Sequence, residues 1–160
     1  MTLDPVMFRG ALGHFCSGVT IISAANGGRV RAITASAFTS VSLSPPLVLV
    51  CVDRRSRINE LVQSSNRYAV SILTSEQHHI SNRFGRGSCD GEFEFEDWEG
   101  LPVIAGALVQ IAADVCDTFD GGDHHIYIGH VSHTRIGEGE PLLYYRGGYH
   151  ARGDMRERPA

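Results

Sequence analysis

The chain has 160 residues, of which 42% are hydrophobic and 20% are charged, and these proportions are typical of one globular domain with a sizeable core. The formal net charge of −4 gives no support for a nucleic-acid partner, so an anionic ligand would need a local basic patch. The apolar runs are far shorter than a membrane span, and residues 1–30 lack the pattern of a secretory signal. We therefore expect a soluble, cytoplasmic protein with no membrane partner.

The first 35 residues predict a helix followed by a β-hairpin. Asp4-Pro5 is a typical helix start, because Asp can cap free N–H groups and Pro fits the first turn. The apolar residues that follow share one helical face: Phe8, Ala11, Leu12 and Phe15. We expect this face to lie across the core. Residues 19–25 and 29–35 then flank Asn26-Gly27, which is a strong hairpin signal.

The middle of the chain predicts two strands and two short helices. Residues 47–52 are all apolar and predict a central buried strand. Ser56 is expected to cap a short helix, and residues 68–73 predict the next strand. Ser75 is expected to cap a second helix that ends near Arg83-Phe84.

The C-terminal half predicts a long loop and three more strands. Residues 85–100 are rich in glycine and acidic residues, and a disordered linker is one interpretation. Three aromatic residues favour instead a loop that packs on the domain: Phe93, Phe95 and Trp98. Residues 107–118 alternate as a half-buried strand, and residues 125–134 form the next one. Residues 142–145 predict a short last strand, and residues 151–160 a frayed polar tail.

These elements predict the fold class. About six strands and three short helices occur without regular strand–helix alternation. That order favours an antiparallel barrel with short peripheral helices over a doubly wound α/β fold.

The spacing of cysteines and histidines does not favour a disulfide or a metal site. The cysteines are scattered and form no Cys-x-x-Cys pair: Cys16, Cys51, Cys89 and Cys116. His78-His79 and His124-His125 are adjacent, whereas two ligands on one helix or strand face need a spacing of four, three or two. We predict free thiols and no metal, with His130 and His133 left open as distant ligands.

The best candidate anion site is Arg54-Arg55-Ser56-Arg57, which combines guanidinium groups, a hydroxyl and a predicted helix start. A solvated basic corner explains the same residues, and both interpretations stay open here. The spacing of Gly85, Gly87 and Gly91 is one residue too long for the dinucleotide fingerprint and follows a helix. No Walker loop occurs, so a nicotinamide cofactor would not be held on a Rossmann turn.

A glycine-rich turn delivers Asp123 and His124 to the start of a strand, where the carboxylate could orient the imidazole. On composition alone, a turn aspartate beside an exposed histidine is the simpler interpretation. No Gly-x-Ser-x-Gly elbow appears, so hydrolysis has no positive signal.

Segments spread from Asp4 to Tyr149 carry a family resemblance. The most specific are the run from Thr34 to Pro46 and the turn Gly122-Asp123-His124. Weaker matches lie in Phe8-Arg9, residues 13–20, Ser56-Arg57, residues 81–84, Gly129 and residues 141–149. The sequence resembles the short-chain flavin reductase family, the reductase components of two-component flavin-dependent monooxygenases.

This resemblance implies a mainly β, Greek-key split barrel in residues 1–150 and a polar tail in residues 151–160. It implies that FMN or FAD lies in a groove, with the ring edge on Thr34 to Ser40, the ribityl chain beside Cys51 to Asp53, and the phosphate at Ser56 and Arg57. The cofactor-binding residues that it implies are Thr34, Ala35, Ser36, Ala37, Phe38, Thr39, Ser40, Cys51, Val52, Asp53, Ser56, Arg57, Arg83, Phe84, Asp123, His124 and Tyr149. His124 would be the catalytic residue, where the nicotinamide stacks on the flavin. Family members often carry Asn at the position of Ser36, so the contact there would be shorter or water-bridged.

The activity that the resemblance implies is hydride transfer from NADH, or NADPH, to FMN or FAD. A homodimer would release reduced flavin to a separate oxygenase component. Two alternatives remain: a split-barrel protein that binds flavin without reducing it, and a flavin-dependent oxidase that acts on an organic substrate.

Overall fold

A computed structural model of the chain describes residues 3–85 and 93–153. The helices are α1 (Pro5–Leu12), α2 (Ile58–Ser65) and α3 (His78–Gly85), and a 3₁₀ turn at Ser75–Gln77 precedes α3. The strands are β1 (Ser17–Gly18), β2 (Thr20–Asn26), β3 (Arg29–Ala35), β4 (Phe38–Leu43), β5 (Pro46–Asp53), β6 (Arg67–Ile72), β7 (Glu96–Trp98), β8 (Leu101–Val103), β9 (Val109–Gly121), β10 (His124–Ile136), β11 (Leu143–Tyr145) and β12 (Gly148–His150).

The main sheet is antiparallel and has the strand order β3-β2-β6-β9-β10-β5-β4. In a flat sheet, β3 and β5 would lie about 24 Å apart. Instead, Ile33 of β3 packs on the same buried cluster as Val52 of β5, because the sheet curls round its core. No ladder joins the terminal strands β3 and β4 among the described residues, so the barrel is open on that side. The predicted mainly β, antiparallel barrel with short peripheral helices is confirmed.

The predicted count of about six strands needs correction. The main sheet has seven strands, because residues 38–43 form β4 and pair with β5 as a hairpin. The predicted last strand, residues 142–145, corresponds to β11 and lies outside this sheet. It pairs with β1 on one side and on the other with β12, which the sequence did not predict.

Helix α1 begins as predicted, but it does not lie across the core. The Asp4 carboxylate accepts a hydrogen bond of 2.9 Å from the backbone N–H of Val6. However, α1 has no buried residue, and Phe8, Leu12 and Phe15 are all exposed. The apolar periodicity correctly indicated an amphipathic helix, yet no part of the chain that the structure describes buries its apolar face.

Two predicted helix caps are displaced by one residue. Helix α2 starts after Arg57 rather than Ser56, and no side chain caps it. The 3₁₀ turn before α3 is capped by Thr74 rather than Ser75, because Thr74 and Gln77 form a reciprocal capping box.

The prediction of a loop over residues 85–100 is wrong at its C-terminal end. Residues 96–98 form β7 and pair with β8, and the turn between them places Glu99 and Gly100 at positive φ. The packing of the aromatic residues is confirmed, since Phe93 and Phe95 contact the ring of Phe84. Residues 86–92 of the predicted loop lie outside the described residues.

Other described features bear on the sequence expectations. Cys16, Cys51 and Cys116 are free thiols, of which Cys16 and Cys116 are exposed, so only Cys51 has the partly buried environment of a small hydrophobe. Cys89 and residues 154–160 of the predicted tail lie outside the described residues. No helix in residues 3–85 or 93–153 is long and apolar enough to cross a membrane.

Candidate functional site

A groove of about 950 Å³ runs along the open side of the barrel. One wall is β3 with the connection to β4, and the opposite wall is the end of β5 with the turn that follows it. The groove also meets His124 at the start of β10 and Phe84 and Gly85 at the end of α3.

The wall formed by residues 34–37 carries short side chains and free backbone donors. The carbonyl oxygen of Ala35 accepts from the Thr20 hydroxyl, that of Ser36 from the N–H of Phe38, and that of Ala37 from the N–H of Cys51. Within the described residues, no acceptor meets the N–H of Ser36 or Ala37. This wall can therefore hydrogen-bond the polar edge of a flat ligand through its main chain.

The turn between β5 and α2 is shaped by the carboxylate of Asp53. It accepts hydrogen bonds from the backbone N–H, Nε and Nη2 of Arg55, at 2.8, 3.1 and 2.7 Å. These contacts hold the pKa of Asp53 well below its usual range. Their contribution to folding is therefore present above the ordinary Asp pKa and is lost only as the pH falls through the lowered value. Arg55 itself is neutralised and is not the main anion ligand.

The positive charge that faces the groove from this turn is Arg57. The guanidinium of Arg54 pairs with Asp120 at 2.7 Å, whereas no carboxylate in the described residues pairs with Arg57. The Ser56 hydroxyl does not cap α2, so it remains available to a ligand beside the uncapped helix start. A guanidinium, a hydroxyl and a helix N-terminus together make this end of the groove suited to a phosphate.

A buried asparagine that sequence reasoning missed holds this turn in place. Asn59 is 6% exposed, and its Nδ2 donates to the carbonyl oxygens of Asp53 and Ser56 at 2.8 and 2.9 Å. Its Oδ1 accepts from the Tyr127 hydroxyl of β10 at 2.8 Å. An Asn in the first turn of a helix, where its side chain competes for backbone groups, was the available signal.

The tip of the β9–β10 hairpin places His124 at the groove. A backbone hydrogen bond joins this tip to the turn between β5 and α2. His124 lies opposite Asp53 in the β5–β10 register, and its Nδ1 is 2.7 Å from the carboxylate of Asp123. The backbone N–H of Arg54 donates to the carbonyl oxygen of Asp123 at 2.9 Å. The hydrogen bond from His124 also lowers the pKa of Asp123. The imidazole is thus oriented by its neighbour, although on composition alone the simpler interpretation was a turn aspartate beside an exposed histidine.

A smaller cavity of about 340 Å³ adjoins the groove and shares Thr34, Ser36 and Gly85 with it. Tyr144 and Tyr149 line its far side, and the Tyr149 hydroxyl is 2.8 Å from the Ser81 hydroxyl. The Thr34 hydroxyl donates to the carbonyl oxygen of Ser81 at 2.7 Å, which fixes α3 against β3.

Most of the predicted cofactor-binding residues meet at these two cavities. The groove is lined by Thr34, Ala35, Ser36, Ala37, Cys51, Asp53, Ser56, Arg57, Phe84 and His124, and Tyr149 lines the adjoining cavity. Burial raises the pKa of the Cys51 thiol. Arg55, from the predicted anion cluster, also lines the groove, and the sequence missed several further lining residues: Arg31, Ala32, Ile33, Ile58 and Gly85.

The remaining predicted residues lie elsewhere, and their role in cofactor binding stays a prediction. The side chain of Val52 is fully buried in the core, because alternate residues of β5 face opposite sides of the sheet. Phe38 packs against the core, whereas Thr39 and Ser40 are exposed on β4, beyond the bend at residues 36–37. Arg83 lies over the ring of Phe93 at 5.3 Å, and Asp123 contacts the site through His124.

Among the described residues, no group of three or more His, Cys, Asp or Glu side chains has the arrangement of a metal site. His124 and His125 point to separate carboxylates, since Nδ1 of His125 is 3.5 Å from Asp120. The polar groups that line the groove suit an anion and a planar ring.

Comparison with known proteins identifies the family. The profile of the flavin reductase like domain matches residues 12–153. The chain belongs to the flavin reductase-like family. This assignment agrees with the curled, open sheet and with a groove that ends in a phosphate-type site.

Individual relatives match over nearly the whole chain. The reductase subunit HsaB of a flavin-dependent monooxygenase from Mycobacterium tuberculosis is 38% identical, over 92% of this chain and 82% of the relative. The solved structure of the flavin reductase PheA2 superposes with a TM-score of 0.90 at 40% identity, over 95% of this chain and 100% of that one. The Streptomyces globisporus NADH:FAD oxidoreductase SgcE6, solved in complex with NAD and FAD fragments, gives a TM-score of 0.88 at 32% identity, over 96% of this chain and 97% of that one.

Replacing Asn59 tests whether it positions the phosphate end of the groove. In Asn59→Asp, a carboxylate oxygen replaces the donor that faces two carbonyl groups, so we expect a loss of about 1–3 kcal/mol in unfolding free energy. We also expect flavin to bind about tenfold more weakly, because the turn that carries Arg57 loses its anchor. Calorimetric titration with flavin and thermal unfolding measure the two effects.

Asn66→Asp is the matched control, since Asn66 also donates from Nδ2 to a backbone carbonyl, that of Val115, but lies away from the groove. This control should leave flavin affinity unchanged. A destabilised Asn59→Asp protein with normal flavin affinity would show that Asn59 stabilises the fold without positioning the turn.

Proposed function

We propose that this protein is an NADH-dependent flavin reductase that supplies reduced flavin to a separate monooxygenase component. The observation that carries the proposal is the groove itself, in which the anion site at Ser56 and Arg57 and the oriented His124 flank the small-residue wall of β3. The relatives support it, since one is named as a monooxygenase reductase subunit and another as an NADH:FAD oxidoreductase.

Each part of the groove has a distinct task in this proposal. The backbone donors of residues 36–37 hold the polar edge of the flavin ring, and Ser56 and Arg57 hold the phosphate. When flavin and NADH are both bound, the nicotinamide ring donates a hydride to the flavin. No side chain has to supply a proton for that step, so the protein contributes mainly by aligning the two rings and excluding water from between them.

His124 is proposed to orient the nicotinamide. Its Nδ1 lies 2.7 Å from the Asp123 carboxylate, so in the neutral imidazole that nitrogen carries the proton and Nε2 is an acceptor. An acceptor there can meet the amide N–H₂ of a nicotinamide and fix the side from which it approaches.

Mixing the purified protein with NADH and either FMN or FAD tests the proposed activity. We expect catalytic loss of the nicotinamide absorbance with free flavin as the substrate. Binding of flavin without consumption of NADH would instead support a flavin-binding protein. Oxygen uptake with an organic substrate, and none with NADH, would support an oxidase.

The role of His124 predicts a selective kinetic defect. In His124→Ala we expect kcat/KM for NADH to fall about tenfold, the equivalent of one lost hydrogen bond of about 1.4 kcal/mol. Flavin affinity should stay within about twofold, because the phosphate and ring-edge contacts are intact. His130→Ala, an exposed histidine further along β10, serves as the control. An unchanged rate of NADH oxidation in His124→Ala would contradict the orienting role.

We also propose that the protein is a homodimer in which a second copy covers α1. Val6 and Leu12 of α1 and Phe15, three residues after it, are 78%, 58% and 80% exposed, so no described residue covers them well. Leu43, at the end of the terminal strand β4, is 94% exposed. Exposed apolar side chains that share one short segment, as those of α1 do, are characteristic of an interaction surface.

The dimer proposal predicts that two substitutions separate the copies. The double variant Leu12→Glu/Phe15→Glu should weaken association more than about a hundredfold, because each side chain loses about 1.5–3 kcal/mol of burial and introduces a charge. Sedimentation of the wild type should give a dimer and that of the variant a monomer. Ile136→Glu, also 80% exposed but at the far end of β10 from His124, should remain dimeric. A monomeric wild type at micromolar concentration would refute the proposal.

A further inference from the structure

The groove contains a second positive charge, Arg31, that the phosphate site at Ser56 and Arg57 does not explain. Arg31 lies in β3 and lines the groove. Its Nη1 donates to the carbonyl oxygen of Val30 at 3.0 Å, and no carboxylate among the described residues pairs with it. By contrast, Arg55 is neutralised by Asp53 and Arg54 by Asp120. Two guanidinium groups, those of Arg31 and Arg57, therefore face the groove without a counter-ion.

The position of Arg31 relative to α2 follows from its neighbour on the same strand. Arg29 pairs with Glu60, in the first turn of α2, at 3.7 Å. Arg31 lies two residues further along β3, at a distance of about 6.7 Å from Arg29, and lines the groove. It shares the groove lining with Arg57 and Ile58, the residues at the start of α2. Arg31 and Arg57 thus line the same groove from two different elements.

A single phosphate does not need both arginines. Ser56, Arg57 and the uncapped start of α2 already offer it a hydroxyl, a guanidinium and backbone N–H groups. A guanidinium that is half-buried without a counter-ion carries a desolvation cost, which a second anionic group on the ligand would offset. FMN ends at its one phosphate, whereas FAD continues through a second phosphate to adenosine. The groove volume of about 950 Å³ lies near the upper end for small-molecule sites, as a dinucleotide requires.

We propose that Arg31 binds the second phosphate of FAD and is the residue that selects FAD over FMN. The inference rests on the proposed flavin reductase function. It assigns the first phosphate to Ser56 and Arg57 and the second to Arg31.

The test compares Arg31→Gln with Arg29→Gln. Both variants remove one arginine of β3, but Arg29 is exposed, pairs with Glu60 and does not line the groove. For each protein, the dissociation constants of FAD, FMN and riboflavin are measured by calorimetry without NADH, and the KM values of FAD, FMN and NADH are measured by NADH oxidation. We expect Arg31→Gln to weaken FAD binding about tenfold and to leave FMN and riboflavin within about twofold, since only FAD has the second phosphate. Arg29→Gln should change none of these values.

Three results would overturn the proposal. Equal weakening of FMN and FAD would place Arg31 on the phosphate that they share. A rise in the KM of NADH with normal FAD affinity would assign Arg31 to the nicotinamide dinucleotide, and no change at all would remove it from the site.

The calorimetric arm separates this proposal from the proposed activity. A wild type that binds FAD but consumes no NADH would refute the reductase function, while the FAD and FMN affinities of Arg31→Gln would still decide the role of Arg31. Thermal unfolding of both variants identifies any change that comes from the fold.

Discussion

Asn59 is buried at the start of α2, where its side-chain amide donates to two carbonyl groups of the preceding turn and accepts from the Tyr127 hydroxyl of β10. A turn of consecutive polar residues has many accessible conformations, and this amide selects one of them. The pair between Arg54 and Asp120 also joins the turn to the β9–β10 hairpin, but its side chains are 41% and 75% exposed, and such pairs contribute about 0–1 kcal/mol. Leaving a buried amide unsatisfied costs about 1–3 kcal/mol. The buried amide of Asn59 therefore stabilises the turn more than this surface pair does.

The second constraint is the open side of the sheet. A closed barrel would use all the backbone groups of β3 in ladders, whereas here β3 pairs with β2 alone. Exposed strand edges tend to associate with other chains, and proteins usually cover or interrupt them. In this chain α3 covers part of the edge through the hydrogen bond from Thr34 to the Ser81 carbonyl. The connection that follows β3, residues 36–37, keeps free N–H groups beside short side chains and lines the groove.

Local sequence patterns predicted the type of each element better than they predicted what packs against it. Asn26-Gly27 predicted a hairpin, which turns one residue later at Gly27-Gly28, because turn chemistry acts over a few residues. The alternation of residues 107–118 correctly predicted a strand, but the expected half-buried pattern is wrong, since residues 110–113 of β9 are buried on both faces. The apolar face of α1 was equally clear, but periodicity does not say what covers a face, and the prediction of a core position was wrong. Ser56 was expected to cap α2 because its residue type favours caps, yet its hydroxyl is left to the groove.

The candidate site shows the same division between local and distant information. The turn Asp123-His124 and the pair Ser56-Arg57 could be found because each is contiguous in sequence. Asn59 and Arg31 could be found only as anomalies, a polar residue in the first turn of a helix and a charged one beside apolar neighbours in a strand. Their roles depend on Tyr127 and Arg57, which the fold brings close from distant parts of the chain.

The distribution of charge explains why binding in this groove depends on individual contacts. The chain carries a net charge of −4, so its overall field does not attract anionic flavin or NADH. Ionic screening at physiological salt also acts over about 8 Å, so distant charges contribute little at the groove. Arg54 and Arg55 are used to shape the turn, each against its own carboxylate. In the proposed function, Arg57 and Arg31 are the guanidinium groups that remain to meet the ligand. Because the attraction is short-range, the loss of either one should act on the phosphate that it contacts and not on the groove as a whole.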